Sequence, residues 1–279
     1  MTRSELIAAL LECGSDEAHS EAKIILEELF GIPYSKQMAD ISHEYDTKAL
    51  LNIIERRKKH EPLQYIIGHA YFCNEKYILN EDCLIPRSDT ELIVYKAAEA
   101  LGAHASFADL CTGSGCIAIS LLALRPDIRG VALDISENAI KAAKENSELN
   151  GVSERLCLSV ADVFNSPLGS QKFDAILSNP PYIPTSVISS LTPEVKSEPR
   201  RALDGGDDGM DFYRFIVANY KKNLKKGGFF LFEIGYDQEQ SIIETATRQA
   251  MACRVFRDMS RNPRAAIIYF DNQEPKCIH

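Results

Sequence analysis

The run Asn179-Pro180-Pro181-Tyr182 contains residue types that are suited to holding a planar NH₂ group. Two consecutive prolines fix φ at both positions and remove two N–H donors, so the carbonyls of Asn179 and Pro180 remain as acceptors on a rigid backbone. An amide or amino nitrogen has two donor hydrogens, which the Asn179 side-chain oxygen and a main-chain carbonyl can accept together. The motif therefore predicts a site that directs such a nitrogen at an electrophile while Tyr182 stacks on its plane. An ordinary proline-rich turn is the simpler alternative.

A glycine-containing loop lies upstream, where a predicted strand leads into a predicted helix. It comprises Cys111, Thr112, Gly113, Ser114 and Gly115. Glycine permits positive φ and lets a ligand approach the main chain closely, which is why such loops hold adenosine cofactors. The spacing of Gly113, Gly115 and Ala118 also satisfies the dinucleotide fingerprint, so a nicotinamide-dependent oxidoreductase and a purely structural turn both stay open.

Two aspartates end the next two predicted strands. Asp134 follows the loop by about twenty residues, the position at which a carboxylate accepts both ribose hydroxyl protons. Asp162 can accept from an adenine amino group while apolar neighbours sandwich the ring. An aspartate that only caps a loop explains Asp162 equally well. Together the loop and the acids predict an adenosine ligand without fixing the chemistry.

The elements that must position these residues alternate between short apolar runs and helical periods. Apolar runs at 107–110, 130–133, 155–160, Phe173–Ser178 and 228–234 predict strands, and Cys116–Leu124, 137–150 and 212–223 predict the helices between them. Such alternation predicts an α/β fold with a parallel sheet whose ligands bind at the carboxyl ends of the strands. The last two runs, 253–257 and 265–270, are joined by a short turn, so they predict an antiparallel hairpin.

The first part of the chain predicts a separate helical domain. Apolar residues recur three or four apart over residues 1–60, which fits three short amphipathic helices. Short runs at 65–67, 71–72 and 77–79 predict one or two hairpin strands that act as a linker. The basic run 56–60 closes the third helix as a solvated helix end, with contact to an RNA-rich partner as the lesser alternative.

Composition restricts the classes of protein. The 279 residues are 45% hydrophobic, and no apolar run reaches the ~20 residues of a membrane-spanning helix, so we expect a cytoplasmic protein without a membrane partner. The net charge of −9 opposes unspecific nucleic-acid binding, and both parts of the chain are net acidic. Eight scattered cysteines without a C-x-x-C, and His60 and His69 as the only close histidines, predict reduced thiols and no metal site.

The Asn-Pro-Pro-Tyr run after a strand, downstream of the glycine loop and the strand-end acid, resembles the class I S-adenosylmethionine-dependent methyltransferases that modify planar NH₂ groups. Flanking segments narrow the resemblance to the peptide chain release factor glutamine methyltransferases, the PrmC/HemK family, and it runs nearly end to end. These segments are Pro62-Leu63-Gln64-Tyr65-Ile66-Ile67-Gly68, Leu84-Ile85-Pro86-Arg87-Ser88-Asp89-Thr90-Glu91, Glu198-Pro199-Arg200-Arg201-Ala202-Leu203 and Phe232-Glu233-Ile234-Gly235.

The resemblance implies methyl transfer from S-adenosyl-L-methionine, with S-adenosyl-L-homocysteine as product, to N5 of the glutamine in a release factor's Gly-Gly-Gln loop. It implies a seven-stranded, mostly parallel Rossmann-like sheet, preceded by a release-factor-recognition domain (1–70) and a β-hairpin linker (71–90), with the methyltransferase domain at 91–279. For the site, it implies that residues 111–115 hold the methionine part, Asp134 the ribose, Asp162 and Val163 the adenine, and residues 179–182 the glutamine. Asn179 also contacts the cofactor, and Arg87 and Glu198 are placed at the pocket wall.

Two positions depart from the family pattern. Cys111 stands where glycine is frequent, which is tolerable if its φ is negative, and Val163 stands where other members carry a bulky aromatic, which predicts looser packing on the adenine. The rival hypotheses are an adenine amino methyltransferase of nucleic acid, a ribosomal protein glutamine methyltransferase, the oxidoreductase, and a non-catalytic RNA-binding module. The acidic charge argues against the nucleic-acid substrates, and the oxidoreductase leaves residues 179–182 unexplained.

Overall fold

A computed structural model of the chain describes residues 1–165, 168–271 and 275. Its internal contacts divide the chain into two compact units. The first unit comprises Met1–His69 and Thr192–Ser197, and the second comprises Ala70–Leu191 and Glu198–His279.

The first unit is helical. Its helices are α1 (Arg3–Glu12), α2 (Ala18–Glu28), α3 (Tyr34–Ala39), α4 (Thr47–Lys58) and α5 (Leu63–Ile67). A four-residue helical turn from later in the chain, Pro193–Lys196, belongs to the same unit. Helix α1 begins with a capping box, in which the Thr2 hydroxyl accepts from the Glu5 N–H and the Glu5 carboxylate accepts from the Thr2 N–H. Apolar faces of these helices share one core, which includes Leu6, Leu10, Ala22, Ile25, Leu26, Leu50 and Ile54.

Three expectations for this unit are corrected. The sequence predicts three helices over residues 1–60, but α3 is a fourth, too short to show a helical period. The run at 65–67 belongs to helix α5, not to a strand, because Pro62 precedes the helix and Gly68, at φ +79°, ends it. Within the basic run 56–60, Arg57 is buried, and it donates to the carboxylate of Glu21 and the carbonyl of Glu61.

A small hairpin follows. Strands β1 (His69–Phe72) and β2 (Glu75–Ile78) form a two-stranded sheet. Cys73 and Asn74 join them, both at positive φ (49° and 65°), as the tightest hairpin loops require. The predicted hairpin is therefore confirmed, and its role as a linker over 71–90 stays a prediction.

The second unit is built on a seven-stranded sheet. Its strands are β3 (Ser106–Leu110), β4 (Arg129–Asp134), β5 (Leu156–Val160), β6 (Phe173–Ser178), β7 (Leu224–Glu233), β8 (Ala252–Arg257) and β9 (Pro263–Tyr269). The spatial order is β5-β4-β3-β6-β7-β9-β8, in which β9 runs antiparallel to both of its neighbours. The predicted α/β fold, with its mostly parallel sheet and antiparallel C-terminal hairpin, is confirmed.

Helices cover both faces of this sheet. They are α6 (Glu91–Ala100), α7 (Cys116–Leu124), α8 (Glu137–Leu149), α9 (Asp211–Tyr220) and α10 (Glu239–Arg248). One apolar cluster packs α6 and α7 against one face, and a second packs α9 and α10 against the other. The central strands β3 and β6 are buried over most of their length, and such strands form the apolar runs that predict them in the sequence.

Strand order determines where the site lies. The chain leaves β3 toward β4 and leaves β6 toward β7, so the connections diverge between two adjacent parallel strands. A crevice forms outside the carboxyl ends at such a switch point. The loops after β3 and β6 carry residues 111–115 and 179–182, so the topology brings the two chemically suggestive runs together. Among the described residues, the structure contains no helix long and apolar enough to cross a bilayer.

Candidate active site

A cavity of about 240 Å³ opens at this edge of the sheet. Residues from the loops after β3, β4, β5 and β6 line it, together with residues from the segment before α6 and from 201–212. Of the residues that the sequence singled out, those lining it are Arg87, Cys111, Thr112, Gly113, Ser114, Asp134, Asp162, Val163, Asn179 and Pro181. Gly115, Pro180, Tyr182 and Glu198 do not line it, and each is described by its own contacts below.

Backbone hydrogen bonds fix the shape of the glycine loop. The Thr112 N–H donates to the Leu133 carbonyl at 3.0 Å, and the Gly115 N–H donates to the Thr112 carbonyl at 2.9 Å. Gly113 and Gly115 have φ of +56° and +83°, a conformation that favours glycine. Gly115 also precedes α7, and a Cβ there would lie 2.7 Å from Ile119 Cδ1, so the loop must pass close to the helix.

Cys111 departs from the expected conformation. The sequence analysis required a negative φ for a side chain at this position, but φ is +59°. A non-glycine residue in the left-handed region is strained, by roughly 1–3 kcal/mol, and such residues cluster at functional sites. The condition under which a side chain was expected to be tolerated here, a negative φ, is therefore not met.

Asp134 lies at the cavity and organises the loop. Its Oδ2 accepts from the Gly113 N–H at 2.9 Å, and its Oδ1 accepts from the Ser136 N–H at 2.9 Å. Burial raises the pKa of this carboxyl, and the backbone N–H donors oppose that shift. Since a carboxylate oxygen has two lone pairs, each oxygen keeps one acceptor position for a ligand hydroxyl.

Two polar atoms beside the loop have no hydrogen-bond partner among the described residues. They are Oδ1 of the buried Asp109 and Oγ of Ser114, which lines the cavity. Asp109 lies one residue before the end of β3 and accepts from the Thr112 hydroxyl at 2.5 Å through its other oxygen. Burial raises the pKa of Asp109 to about 7. Unpartnered buried polar atoms are rare in folded proteins. The Ser114 hydroxyl, which lines the cavity, is available to a polar ligand group, whereas Asp109 lies outside the lining.

Asp162 has the loop-capping role that the sequence left open, and its contact with adenine stays a prediction. Its Oδ1 accepts from the Phe164 N–H at 2.9 Å and its Oδ2 accepts from Asn165 Nδ2 at 3.1 Å, so it caps the 3₁₀ turn Val163–Asn165. It also lines the cavity, as do Val163 and Phe164.

Aromatic side chains complete this end of the cavity. The ring of Phe164 lies 4.8 Å from that of Phe212, which lines the cavity as well. The aromatic contact that Val163 cannot provide is therefore available from its neighbour. These rings come from Phe164, one residue further along, and from Phe212 on α9, and the looser packing expected at Val163 stays a prediction.

Asn179 faces the cavity with a defined hydrogen bond. Its Nδ2 donates to the hydroxyl of Thr90 at 3.3 Å, which leaves Oδ1 as an acceptor. Pro180 and Pro181 are buried. The Tyr182 hydroxyl donates to Glu233 at 3.3 Å, and Gln238 Nε2 donates to the Tyr182 carbonyl at 3.0 Å. The turn is thus held by two side chains, Glu233 at the end of β7 and Gln238 after it.

Arg87 lines the cavity and forms an ion pair with the buried Glu198. Glu198 also accepts from the Ile85 N–H at 3.0 Å. Burial raises the pKa of Glu198, and the Arg87 guanidinium opposes this shift. Glu198 therefore contacts the cavity only through Arg87 and the segment that carries it.

Several residues at the site escaped the sequence analysis. Asn146 on α8 is fully buried, and its Nδ2 donates to the carbonyls of Ser114 (2.9 Å) and Ile78 (3.0 Å) while its Oδ1 accepts from the Ile78 N–H (2.6 Å). Thr90, Glu233 and Asp109 were quoted only as parts of longer runs. The sequence signal that could have identified these three residues is a polar side chain near the end of an apolar strand or beside a proline-rich segment.

The described residues contain no cluster of His, Cys, Asp and Glu that could hold a metal ion. Cysteines 13, 73, 83, 111, 116, 157 and 253 are free thiols. Cys277, also included in the sequence argument, lies outside the described residues.

Comparisons with known proteins cover both parts of the chain. The profile described as the PrmC N-terminal domain matches residues 2–68, and that described as the methyltransferase small domain matches residues 88–230. A release factor glutamine methyltransferase of Caulobacter vibrioides is 38% identical over 266 residues, covering 92% of this chain and 91% of the relative. One from Geobacter sulfurreducens is also 38% identical, covering 86% of this chain and 84% of the relative.

Solved structures agree on the fold. The ribosomal protein L11 methylase of Lactobacillus delbrueckii subsp. bulgaricus superposes with a TM-score of 0.50 at 20% sequence identity, covering 66% of this chain and 80% of that one. At this identity the likeness concerns the fold of the sheet and its helices alone.

Proposed function

Because this chain belongs to the family of release factor glutamine methyltransferases, we propose that it methylates the side-chain amide nitrogen (N5) of the glutamine in the Gly-Gly-Gln motif of peptide chain release factors. The observation that carries the proposal is the 38% identity to such an enzyme over 92% of the chain. The cavity supports it, since Asn179 offers an amide acceptor beside a glycine loop that is shaped for an adenosine cofactor. The reaction takes place in the cytoplasm, where translation occurs.

The residues present fit S-adenosyl-L-methionine. Asp134 has acceptor positions left for two ribose hydroxyls, Asp162, Val163, Phe164 and Phe212 border a flat region for adenine, and the unpartnered Ser114 hydroxyl marks a polar end. When bound, this cofactor supplies a methyl group on a positively charged sulfur, whose departure as a neutral thioether needs no acid catalyst. Residues 111–115 would hold its methionine part, and S-adenosyl-L-homocysteine would remain after transfer.

Asn179 and Pro180 would orient the attacking nitrogen. An amide nitrogen is a poor nucleophile because its lone pair is conjugated with the carbonyl. The Asn179 Oδ1 and the Pro180 carbonyl would accept its two N–H bonds, which aligns the lone pair toward the methyl group and lowers the barrier by positioning. As the new N–C bond forms, the nitrogen loses one proton, which would pass to the acceptor carbonyl or to water. Asn179, next to the glycine loop, would also border the cofactor. Pro181 would complete the cavity wall, and Tyr182 would stack on the planar amide.

Arg87, held by Glu198, would contact the backbone of the substrate loop that carries the glutamine. A guanidinium presents several donors in one plane, which suits the carbonyls of a glycine-rich turn. Glu198 neutralises Arg87 and ties its segment to the Ile85 N–H. The pair would thus shape the entrance of the cavity.

We assign recognition of the release factor to the helical domain at 1–70, with 71–90 as the linker and 91–279 as the methyltransferase domain. The separate core of the first unit supports this division of roles. A short peptide that contains the Gly-Gly-Gln motif is then expected to be a poorer substrate than the intact release factor.

The test is to incubate the chain with S-adenosyl-L-methionine and an intact release factor and to locate added methyl groups by mass spectrometry. One methyl on the Gly-Gly-Gln glutamine is expected, and none on a release factor in which that glutamine is alanine. Asn179→Ala is expected to lower kcat at least ~10²-fold while cofactor affinity stays within a few-fold, because the lost contact acts in the transition state. An unmodified glutamine would refute the proposal.

The same experiment separates the rival substrates. Methyl transfer to nucleic acid or to a ribosomal protein, with the release factor unchanged, would favour the other amino or glutamine methyltransferases. A thermal shift with a nicotinamide dinucleotide but not with S-adenosyl-L-homocysteine would favour the oxidoreductase.

A further inference from the structure

Two segments that are far apart in the sequence, one containing Thr90 and the other Glu233, meet behind the cavity. Thr90 precedes α6, and Glu233 ends β7, 143 residues further along the chain. Both side chains are 2% exposed. The Thr90 hydroxyl donates to Glu233 Oε2 at 2.5 Å, and the same hydroxyl oxygen accepts from Asn179 Nδ2 at 3.3 Å. The three side chains therefore form a continuous chain of hydrogen bonds that ends at the cavity.

The number of hydrogens in this chain determines its direction. A threonine hydroxyl has a single proton, and an ionised carboxylate can only accept. While Glu233 is ionised, the Thr90 proton is committed to Glu233, so Thr90 can only accept from Asn179. Asn179 must then present its NH₂ to Thr90 and its Oδ1 to the cavity. That is the orientation in which it can accept an N–H of a substrate amide.

We propose that Glu233, acting through Thr90, is the positioning residue that keeps the Asn179 amide oxygen turned toward the substrate. This inference rests on the proposed role of Asn179 in orienting the glutamine nitrogen. Glu233 also accepts from the Tyr182 hydroxyl at 3.3 Å, so one carboxylate holds both ends of the Asn179–Tyr182 turn. Glu233 itself does not line the cavity.

Protonation of Glu233 would undo this arrangement. A neutral carboxyl can donate to Thr90, whose proton can then turn toward Asn179 and favour the flipped amide, with its NH₂ facing the NH₂ of the substrate. Burial raises the pKa of Glu233 to about 7, opposed by the Thr90 and Tyr182 hydroxyls and by the charge of Arg264 on β9, and reinforced by Asp89 next to Thr90. The active form is the ionised one, so kcat/KM, which reports groups of the free enzyme, should rise with pH through about 7.

The variants that test the inference are Thr90→Val, Thr90→Ser and Glu233→Gln, with Thr245→Val as the control. Thr245 is a buried threonine on α10 whose hydroxyl donates to the Ser241 carbonyl within its own helix. Valine has the shape of threonine without the hydroxyl, whereas serine keeps the hydroxyl. Glutamine has the size of Glu233 but carries an NH₂ that can donate to Thr90 at every pH.

The measurements are kcat and KM with an intact release factor between pH 6 and 9, and the dissociation constant of S-adenosyl-L-homocysteine. Thr90→Val and Glu233→Gln are expected to lower kcat at pH 8 by ~10-fold or more, with KM and cofactor affinity changed less than ~3-fold. Thr90→Ser and Thr245→Val should stay near the wild type. The ratio of wild-type to Glu233→Gln kcat/KM should rise with pH through about 7 and then level off.

Wild-type kcat in Thr90→Val would overturn the inference. It would also be overturned if Thr90→Val lost cofactor binding to the same extent as kcat, or if Thr90→Ser were as inactive as Thr90→Val. If Glu233→Gln does not fold, the comparison of Thr90→Val with Thr90→Ser decides alone. An active Asn179→Ala enzyme would instead remove the proposed role of Asn179. Inactive Asn179→Ala with fully active Thr90→Val would remove only the role of Glu233 and Thr90.

Discussion

Replacing Asp134 by alanine tests the assignment of the cofactor site. In the structure each Asp134 oxygen accepts one backbone N–H, at 2.9 Å, and keeps one acceptor position. Two ribose hydroxyls donating there form charge-assisted hydrogen bonds, each worth roughly 1.5–3 kcal/mol. The lower bound for the pair is about 3 kcal/mol, which corresponds to a dissociation constant ~10²-fold larger.

Isothermal titration calorimetry with S-adenosyl-L-homocysteine measures this change directly. Asp134→Asn should fall between wild type and Asp134→Ala, because the amide keeps one oxygen but places an NH₂ against a backbone N–H. Asp16→Ala, which removes an exposed carboxylate in the other unit, controls for the change in net charge. An Asp134→Ala protein that remains folded and binds with the wild-type dissociation constant would refute the ribose assignment.

Two further predictions concern the neighbours of the cavity. Gly205→Ala should lower kcat by up to ~10²-fold, because the added Cβ would lie 2.7 Å from the Tyr182 Cα and would displace the turn that is proposed to orient the substrate. Gly102→Ala, where no atom lies within 4 Å of the added Cβ, should be neutral in the same assay. Phe164→Ala should weaken cofactor binding about tenfold by calorimetry, since a ring that stacks on a base contributes ~1–3 kcal/mol, and unchanged affinity would place the adenine elsewhere.

Much of the fold could be predicted from the sequence because glycine and proline mark the ends of elements in the second unit. Helix α7 was predicted at the limits observed, Cys116–Leu124, since Gly115 and Pro126 bracket an apolar helical period. The central strands were predictable because burial on both faces makes them nearly continuous apolar runs. By contrast, α5 was mistaken for a strand because five residues, LQYII, are too few to distinguish a helical from an extended period.

The site was accessible only where its residues are adjacent in sequence. The loop after β3 and the turn after β6 each carry a local pattern, and the switch-point rule then places them together. The bond between Thr90 and Glu233 joins residues 143 positions apart, and no local pattern records a contact of that separation. The positive φ of Cys111 was inaccessible for a similar reason, because surrounding contacts hold a strained residue that its own side chain disfavours.

Asn146 gives the glycine loop a property that matters for binding thermodynamics. One buried amide ties the Ser114 carbonyl in the loop to both backbone groups of Ile78 in the hairpin. The conformational entropy of ordering the loop is therefore lost once, during folding, rather than at each encounter with cofactor. A ligand that meets an ordered loop keeps more of its contact energy as affinity, because little further ordering is needed when it binds.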